Sequence, residues 1–192
     1  MVMAPDPQTD RDELGPAVRF AASDVRRMLL AGILDSERRY EVLDGEIVQM
    51  LAHNPAHLRV KRYLLATAFA QLGDRYWVDS EPTLYLDEDG DYTLPDIVVY
   101  PKSFDAHQVR GRDVLLLIEV ADSTFKKDRQ RKAELYARHG VRDYWVVNAA
   151  TLETFQFRGP GPRGYASETL LRPDATLTAL LLPELSLRVG DV

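Results

Sequence analysis

The sequence contains no cysteine. Disulfides and cysteine-ligated zinc are therefore excluded, and a reducing cytoplasm is the expected setting. Long hydrophobic runs are missing too: no apolar stretch approaches the ~20 residues of a bilayer-spanning helix. The opening MVMAPDPQTDRDELGP has neither the basic start nor the apolar segment of an export signal, so a soluble chain with no membrane partner is expected. Positive charge is not in excess. A formal net charge of -6 argues against a protein that coats nucleic acid without selectivity, because such affinity comes from clustered Lys and Arg that release counterions.

What remains is ordinary globular composition: 192 residues, 45% hydrophobic and 28% charged, enough for one well-buried core. Residues 1–16 are polar, hold Pro5, Pro7 and Pro16, and read as a flexible tail, leaving 17–192 as a single domain. Charge is uneven within it. From Ser123 to Arg142, seven basic residues (Lys126, Lys127, Arg129, Arg131, Lys132, Arg138, Arg142) stand against two acidic ones (Asp128, Glu134), a local +5 on an acidic chain. A solvated helix surface and a nucleic-acid contact both fit that run.

Periodicity predicts a helix over 23–34, with Ser23 as N-cap and Val25, Met28, Leu29 and Gly32 on one face. YEVLDGEIVQM predicts a hairpin, because both residues of Asp44-Gly45 tolerate positive φ. After the break at Asn54-Pro55 a helix is expected over 56–73, with Leu58, Leu65, Phe69 and Leu72 inward and Gly73 as its stop. RYWVD, PTLYLDED and LPDIVVYP read as strands, DEDGDYT as a turn and KSFDAHQVRGR as a loop. VLLLIEVA is too continuously apolar to have a wet face and belongs at the centre of a sheet. A helix from Thr124 or Lys126 to His139 follows, closed by Gly140, with Ala133, Tyr136, Ala137 and Gly140 buried. The strand DYWVVNA comes next, its Tyr144 and Trp145 expected in the core, and this strand–helix–strand order implies a right-handed crossover and a parallel pair. ETFQFR, GYASETLLR and LLLPELSLRVGDV read as meander strands or a capping element, with GPGPRG as a loop.

Two acids stand where acids are costly. Asp96 directly precedes IVVY, and Glu119 sits between Ile118 and Val120; an unpaired carboxylate at a buried strand end carries a large desolvation penalty. Singly, Asp96 capping a turn and Glu119 paired with an arginine such as Arg129 are adequate explanations. Together, with a basic helix directly after, they point to a hard oxygen site of the kind that holds magnesium or manganese. Lys132 is open to two readings, an exposed i,i+4 pair with Asp128 or an amine whose stem lies along the buried edge and reaches Glu119. His53 and His57 are four apart, but Pro55 breaks a shared face, so a zinc pair is not expected; His57 is better suited to bonding a site carboxylate.

The segments RRYEVLDGEIVQM, PDIVVY, LLLIEVADST and DRQRKAELYARHGVRDYWVV resemble the Uma-two family of restriction-endonuclease-like proteins, a branch of the PD-(D/E)XK nuclease superfamily. The likeness runs from about residue 20 to 190. It implies an α/β fold, a mixed central sheet flanked by helices, in which Asp96 and Glu119 bind a divalent metal with the carbonyl of Val120. The superfamily's usual lysine position is Ala121 here, and Lys132 on the next helix takes the matching place; Glu41 stands where the family has its hairpin acid. The resemblance implies a metal-dependent endonuclease with water activated at the Asp96, Glu119 and Lys132 site. Lys126, Lys127 and Arg129 are then candidates for the DNA backbone, His57 and Asp128 for supporting roles, and a homodimer is the default for cutting two strands. Two alternatives compete: a catalytically silent fold that binds nucleic acid or a protein, and a carboxylate-pair hydrolase acting on sugars. The direction of the Lys132 amine separates the first of these from the nuclease.

Overall fold

The computed structural model describes residues 16–52, 54–121 and 125–192, and along 125–129 the helical backbone alone. Its elements run α1 (Ala22–Leu30), β1 (Tyr40–Leu43), β2 (Glu46–Gln49), α2 (Pro55–Leu72), β3 (Tyr76–Ser80), β4 (Leu84–Tyr85), β5 (Tyr92–Thr93), β6 (Ile97–Pro101), β7 (Leu116–Ala121), α3 (Phe125–Arg138), β8 (Asp143–Asn148), β9 (Thr154–Gly161), β10 (Gly164–Leu171), β11 (Leu177–Thr178) and β12 (Ser186–Leu187). The six-stranded sheet has the order β10-β9-β8-β7-β6-β3. Its parallel pair is β7 with β8, the two strands joined through α3, and VLLLIEVA supplies a central strand as expected.

Alternation on the central strands assigns each side chain to a face. Ile97, Val99, Leu116, Ile118, Val120, Trp145 and Val147 pack against Val60, Leu64, Ala68 and Leu72 of α2, and the C-terminal Leu177, Leu182, Leu185 and Leu187 close that layer. On the other face Val98, Tyr100, Leu117, Tyr144, Val146 and Phe157 meet Ala133, Leu135 and Tyr136 of α3. Tyr144 and Trp145 are both interior. Glu119 falls in the α3-facing set, where alternation would otherwise place an apolar side chain.

Asp143 is fully buried at the start of β8. It accepts from Trp145 Nε1 at 2.9 Å, Arg158 Nε at 3.0 Å and the Leu180 N–H at 2.6 Å. This acid is compensated by its own arginine and ties the chain after β11 to the sheet; its role is structural.

The hairpin forms on Asp44 (φ 53) and Gly45 (φ 73), and Gly140 (φ 78) follows the end of α3. Other expectations needed correction. Ser23 is not the cap of α1: the helix starts one residue earlier, Asp24 Oδ2 accepts the Ala21 N–H at 2.8 Å, and the Ser23 N–H and hydroxyl go to Asp89. Gly32 lies past the end of that helix and is exposed. DEDGDYT contains β5, which links the hairpin into a four-stranded sheet of order β2-β1-β5-β4. GPGPRG is mostly strand: on an edge hairpin the missing proline N–H costs no ladder bond, so β9 runs on to Gly161 and pairs with Gly164. The C-terminal stretch contributes β12, which pairs with β11.

The inward face of α2 also differs. The buried residues are His57, Val60, Leu64, Ala68 and Leu72, while Phe69 is 63% exposed. The helix is apolar on more than one side, so periodicity admits two stripes, and the sheet selects the one with smaller side chains for close approach. Leu64→Ala is accordingly expected to cost about 3 kcal/mol and Phe69→Ala less than about 0.5 kcal/mol in denaturant unfolding; the reverse order would contradict this packing.

Candidate active site

Proline cannot donate to a ladder, and Pro95 accordingly stands just ahead of β6, delivering Asp96 to the strand's mouth. Ile97 pairs with Ile118 at the end of this antiparallel ladder, so Asp96, just ahead of β6, and Glu119, next after Ile118, lie at the same end of the two strands. The Val120 N–H donates to Asp96 Oδ2 at 2.8 Å, fixing that juxtaposition.

A second support comes from α2. Asn54 Oδ1 accepts the His57 N–H at 2.9 Å and Pro55 begins the helix, so the start of α2 is closely specified. His57, one turn in and 2% exposed, places Nε2 at 3.1 Å from Asp96 Oδ2; the carboxylate accepts, so Nε2 carries the hydrogen. Four residues on, Lys61 Nζ lies 3.8 Å from Asp96 Oδ1 and is hydrogen-bonded to Glu81, which Arg39 also holds.

Glu119 is met from α3. Lys132 Nζ donates to Glu119 Oε1 at 3.0 Å and to Glu41 Oε1 at 2.9 Å, and the Tyr136 hydroxyl donates to the same Glu119 oxygen at 2.9 Å. Lys132 and Tyr136 are one turn apart, so one face of α3 presents both. Glu41 is 3% exposed and also accepts the Leu94 N–H at 2.8 Å. Its hairpin is clamped to α3: Arg131 donates to the Leu43 carbonyl at 2.6 Å and pairs with Glu46 at 2.9 Å, and Arg138 bonds Asp44.

Electrostatics follow from three acids sharing few cations. Burial pushes the Glu119 carboxyl up; Lys132 opposes this, but Asp96 and Glu41 add to it, and the pKa reaches about 7. Burial pulls the Lys132 ammonium down, yet Glu119 and Glu41 outweigh it and raise the pKa above the usual lysine value. The lysine thus stays charged while divided between two carboxylates, and Glu119 is left with a surplus of negative surroundings. Burial also raises the Tyr136 phenol, with Glu119 and Glu41 adding to it, so it remains a neutral donor. At the rim burial raises Glu81, but hydrogen bonds and charge from Lys61 and Arg39 hold its carboxyl down at about 2.

The structure thus brings Asp96, Glu119, Lys132, Glu41, Val120 and His57 to one place. Among the described residues no arginine contacts Asp96 or Glu119. Of the basic run, Arg131, Lys132 and Arg138 are turned to acids of the fold. The side chains of Lys126, Lys127, Asp128 and Arg129, and all of His53, lie outside the described residues. Sequence reasoning missed Lys61, Glu81, Arg39 and the hydroxyl of Tyr136. The one signal available was the spacing of His57 and Lys61, which share a helix face behind the Asn54-Pro55 start.

A family model described as "Uma2: Putative restriction endonuclease" matches residues 23–190, a span that takes in every residue of this cluster. The chain belongs to the Uma2 family. A solved structure described as a putative nuclease belonging to DUF820, from Anabaena variabilis, is similar to this Uma2 chain with a TM-score of 0.67 and 16% identity, covering 84% of this chain and 93% of that one. At that identity the likeness is one of fold. No curated protein matches the chain significantly.

Among the described residues of this Uma2 protein, no three His, Asp or Glu side chains converge as in an all-protein metal cage. Magnesium does not need one, since it commonly takes one or two carboxylates and keeps several waters. The donors present are hard oxygens; burial first, and after it the charges of Asp96 and Glu41, raise the Glu119 carboxyl, and a divalent cation would offset that buried negative charge. The residues fit the ion. Among the described residues no helix is long and apolar enough to cross a membrane.

Proposed function

We propose that this chain is a magnesium- or manganese-dependent endonuclease that hydrolyses phosphodiester bonds of DNA. The observation that carries the reading is the approach of Asp96 to the Glu119 end of β7, bonded by the Val120 N–H, with Lys132 held against Glu119. Asp96, Glu119 and the Val120 carbonyl would hold the ion. When bound, the ion supplies Lewis-acid polarisation of the phosphoryl oxygen and a water of lowered pKa.

The remaining work belongs to the chain. The Val120 N–H and His57 fix the rotamer of Asp96, while Tyr136 and Lys132 fix that of Glu119, so both carboxylates are oriented before substrate arrives. Glu41 and Lys132 complete a charged bridge that ties β1 to α3 beside Glu119. Lys126, Lys127 and Arg129, near the start of α3, would meet the DNA backbone by contacts that position the duplex without reading its sequence. With Arg131, Lys132 and Arg138 paired to acids of the fold, the remaining Lys126, Lys127, Arg129 and Arg142 against Asp128 and Glu134 still leave this stretch net positive on an acidic chain, which supports this side as the nucleic-acid face.

A second reading, a silent nuclease fold that binds DNA, is favoured by Ala121 at the usual lysine position. One pair of experiments decides. Titration calorimetry with magnesium chloride is expected to give saturable binding, and supercoiled plasmid is expected to be nicked in magnesium or manganese but not in EDTA. Metal binding without nicking of any DNA would support the silent fold; no metal binding at all would remove the proposed site.

A further inference from the structure

We infer that Lys61 is the amine that meets the substrate phosphate, and that Glu81 holds it in reserve until the phosphate arrives. The inference rests on the nuclease reading and deepens it.

The two lysines of the site are bound differently. Lys132 bridges Glu41 and Glu119 at 2.9 and 3.0 Å, and those side chains are 4% and 13% exposed. To reach a phosphate it would abandon two buried carboxylates, so it is an orienting group. Lys61 stands on the opposite flank of the carboxylate pair. Its ammonium lies 3.8 Å from Asp96 Oδ1, beside that oxygen but beyond a hydrogen bond. Its bonded partner is Glu81, a side chain 24% exposed.

Glu81 is not stranded when it releases Lys61, because Arg39 remains. Arg39 Nη1 bonds the Glu81 carboxylate and Arg39 Nη2 donates to the Glu81 carbonyl at 3.2 Å. The position of Glu81 is itself over-determined. It is a non-glycine residue in the left-handed region (φ 52), and its N–H donates to the Asp96 carbonyl at 3.2 Å. Such backbone strain persists where surrounding contacts enforce it, and here they fix a carboxylate next to Lys61. A phosphate brought to the Asp96 side carries the same charge as Glu81 and offers an equivalent acceptor, so the ammonium exchanges one oxyanion for another without becoming unpaired.

The test uses the full chain and a 20-base-pair duplex. Lys61→Met is expected to lower kcat for magnesium-dependent cleavage about a hundredfold while magnesium affinity by calorimetry is not weakened, because both carboxylates remain and a cation 3.8 Å from Asp96 Oδ1 is removed. Duplex binding in calcium buffer is expected to weaken about tenfold, with the salt slope reduced by about one. Lys61→Arg should keep most of the binding. Glu81→Gln, which removes the competing oxyanion, should tighten duplex binding; a purely structural ion pair would not do so. Thermal unfolding of Lys61→Met should fall less than that of Lys132→Met, since Glu81 retains Arg39. Lys61→Met that binds and cuts normally, or that loses magnesium together with activity, would overturn the inference. An unmodified chain that binds duplex without cutting sinks the cleavage proposal while the binding arm still judges Lys61. A chain that neither binds nor cuts removes both.

Discussion

Lys132→Met is expected to destabilise the chain by about 3–5 kcal/mol, the cost of stranding buried charge when one member of a buried pair is removed. For a chain of this length that is a fall in Tm of roughly 10 °C. The lysine is 15% exposed and is the shared cation of Glu41 and Glu119, so its loss leaves two interior carboxylates facing each other and Asp96. Methionine fills the stem's volume, which confines the change to charge. The pH dependence has a definite sign. A carboxyl whose folded pKa lies above its unfolded value binds more protons when folded, so its cost is absent below the unfolded value and complete above the folded one. Glu119 already titrates near 7 against an ordinary 4.5, and without Lys132 it moves higher. The deficit of Lys132→Met should therefore be small near pH 4.5, grow through neutrality and be largest above it. Lys132→Met/Glu119→Gln should recover at least half of the loss at pH 8, measured by urea unfolding. A single variant as stable as the parent at pH 8 would mean that water screens the bridge, and the placement of Lys132 between the two acids would have to be given up.

The acids themselves were legible in the sequence because they interrupt apolar runs: Asp96 at the head of IVVY and Glu119 inside LLLIEV each admit a local explanation singly, and it is their occurrence together ahead of a basic helix that points to a site. Lys132 was legible only in part. Its spacing from Asp128 and from Tyr136 fits an exposed pair as well as a buried bridge, and what decides between them is Glu41, 91 residues away, delivered by a hairpin. The Asp44-Gly45 turn was readable, but not that Arg131 and Arg138 clamp it to α3. The approach of Asp96 to Glu119 depends on the register Ile97 to Ile118, and register is a tertiary property that neither strand's pattern contains. Lys61 escaped notice for the same reason that Phe69 was misplaced. Of the expected α2 stripe Leu72 is inward and Phe69 is not, and although His57 was expected to bond a site carboxylate, the turn that carries Lys61 to Asp96 beside it was not read.

Asp96→Asn is the substitution with the largest expected effect on function. Taking away this ligand should lower magnesium-dependent cleavage about a thousandfold, corresponding to several kcal/mol of metal-derived stabilisation at roughly 1.4 kcal/mol per tenfold. The fold should hardly notice in metal-free buffer. The asparagine oxygen can still accept from the Val120 N–H and His57, Lys61 keeps Glu81, and removal of one negative charge eases Glu119. Urea unfolding without metal is thus expected to change by less than about 1 kcal/mol. The difference should emerge on adding magnesium: at about 100 times its Kd the ion stabilises the native parent by about 2.7 kcal/mol, and this increment should vanish in Asp96→Asn. The two measurements separate explanations that an activity assay alone would merge. Lost cleavage with lost metal-linked stabilisation identifies a ligand; lost cleavage with a large metal-free destabilisation identifies a structural acid; retained cleavage removes Asp96 from the mechanism, and with it the reason for reading the β6 and β7 strand ends as a reaction centre.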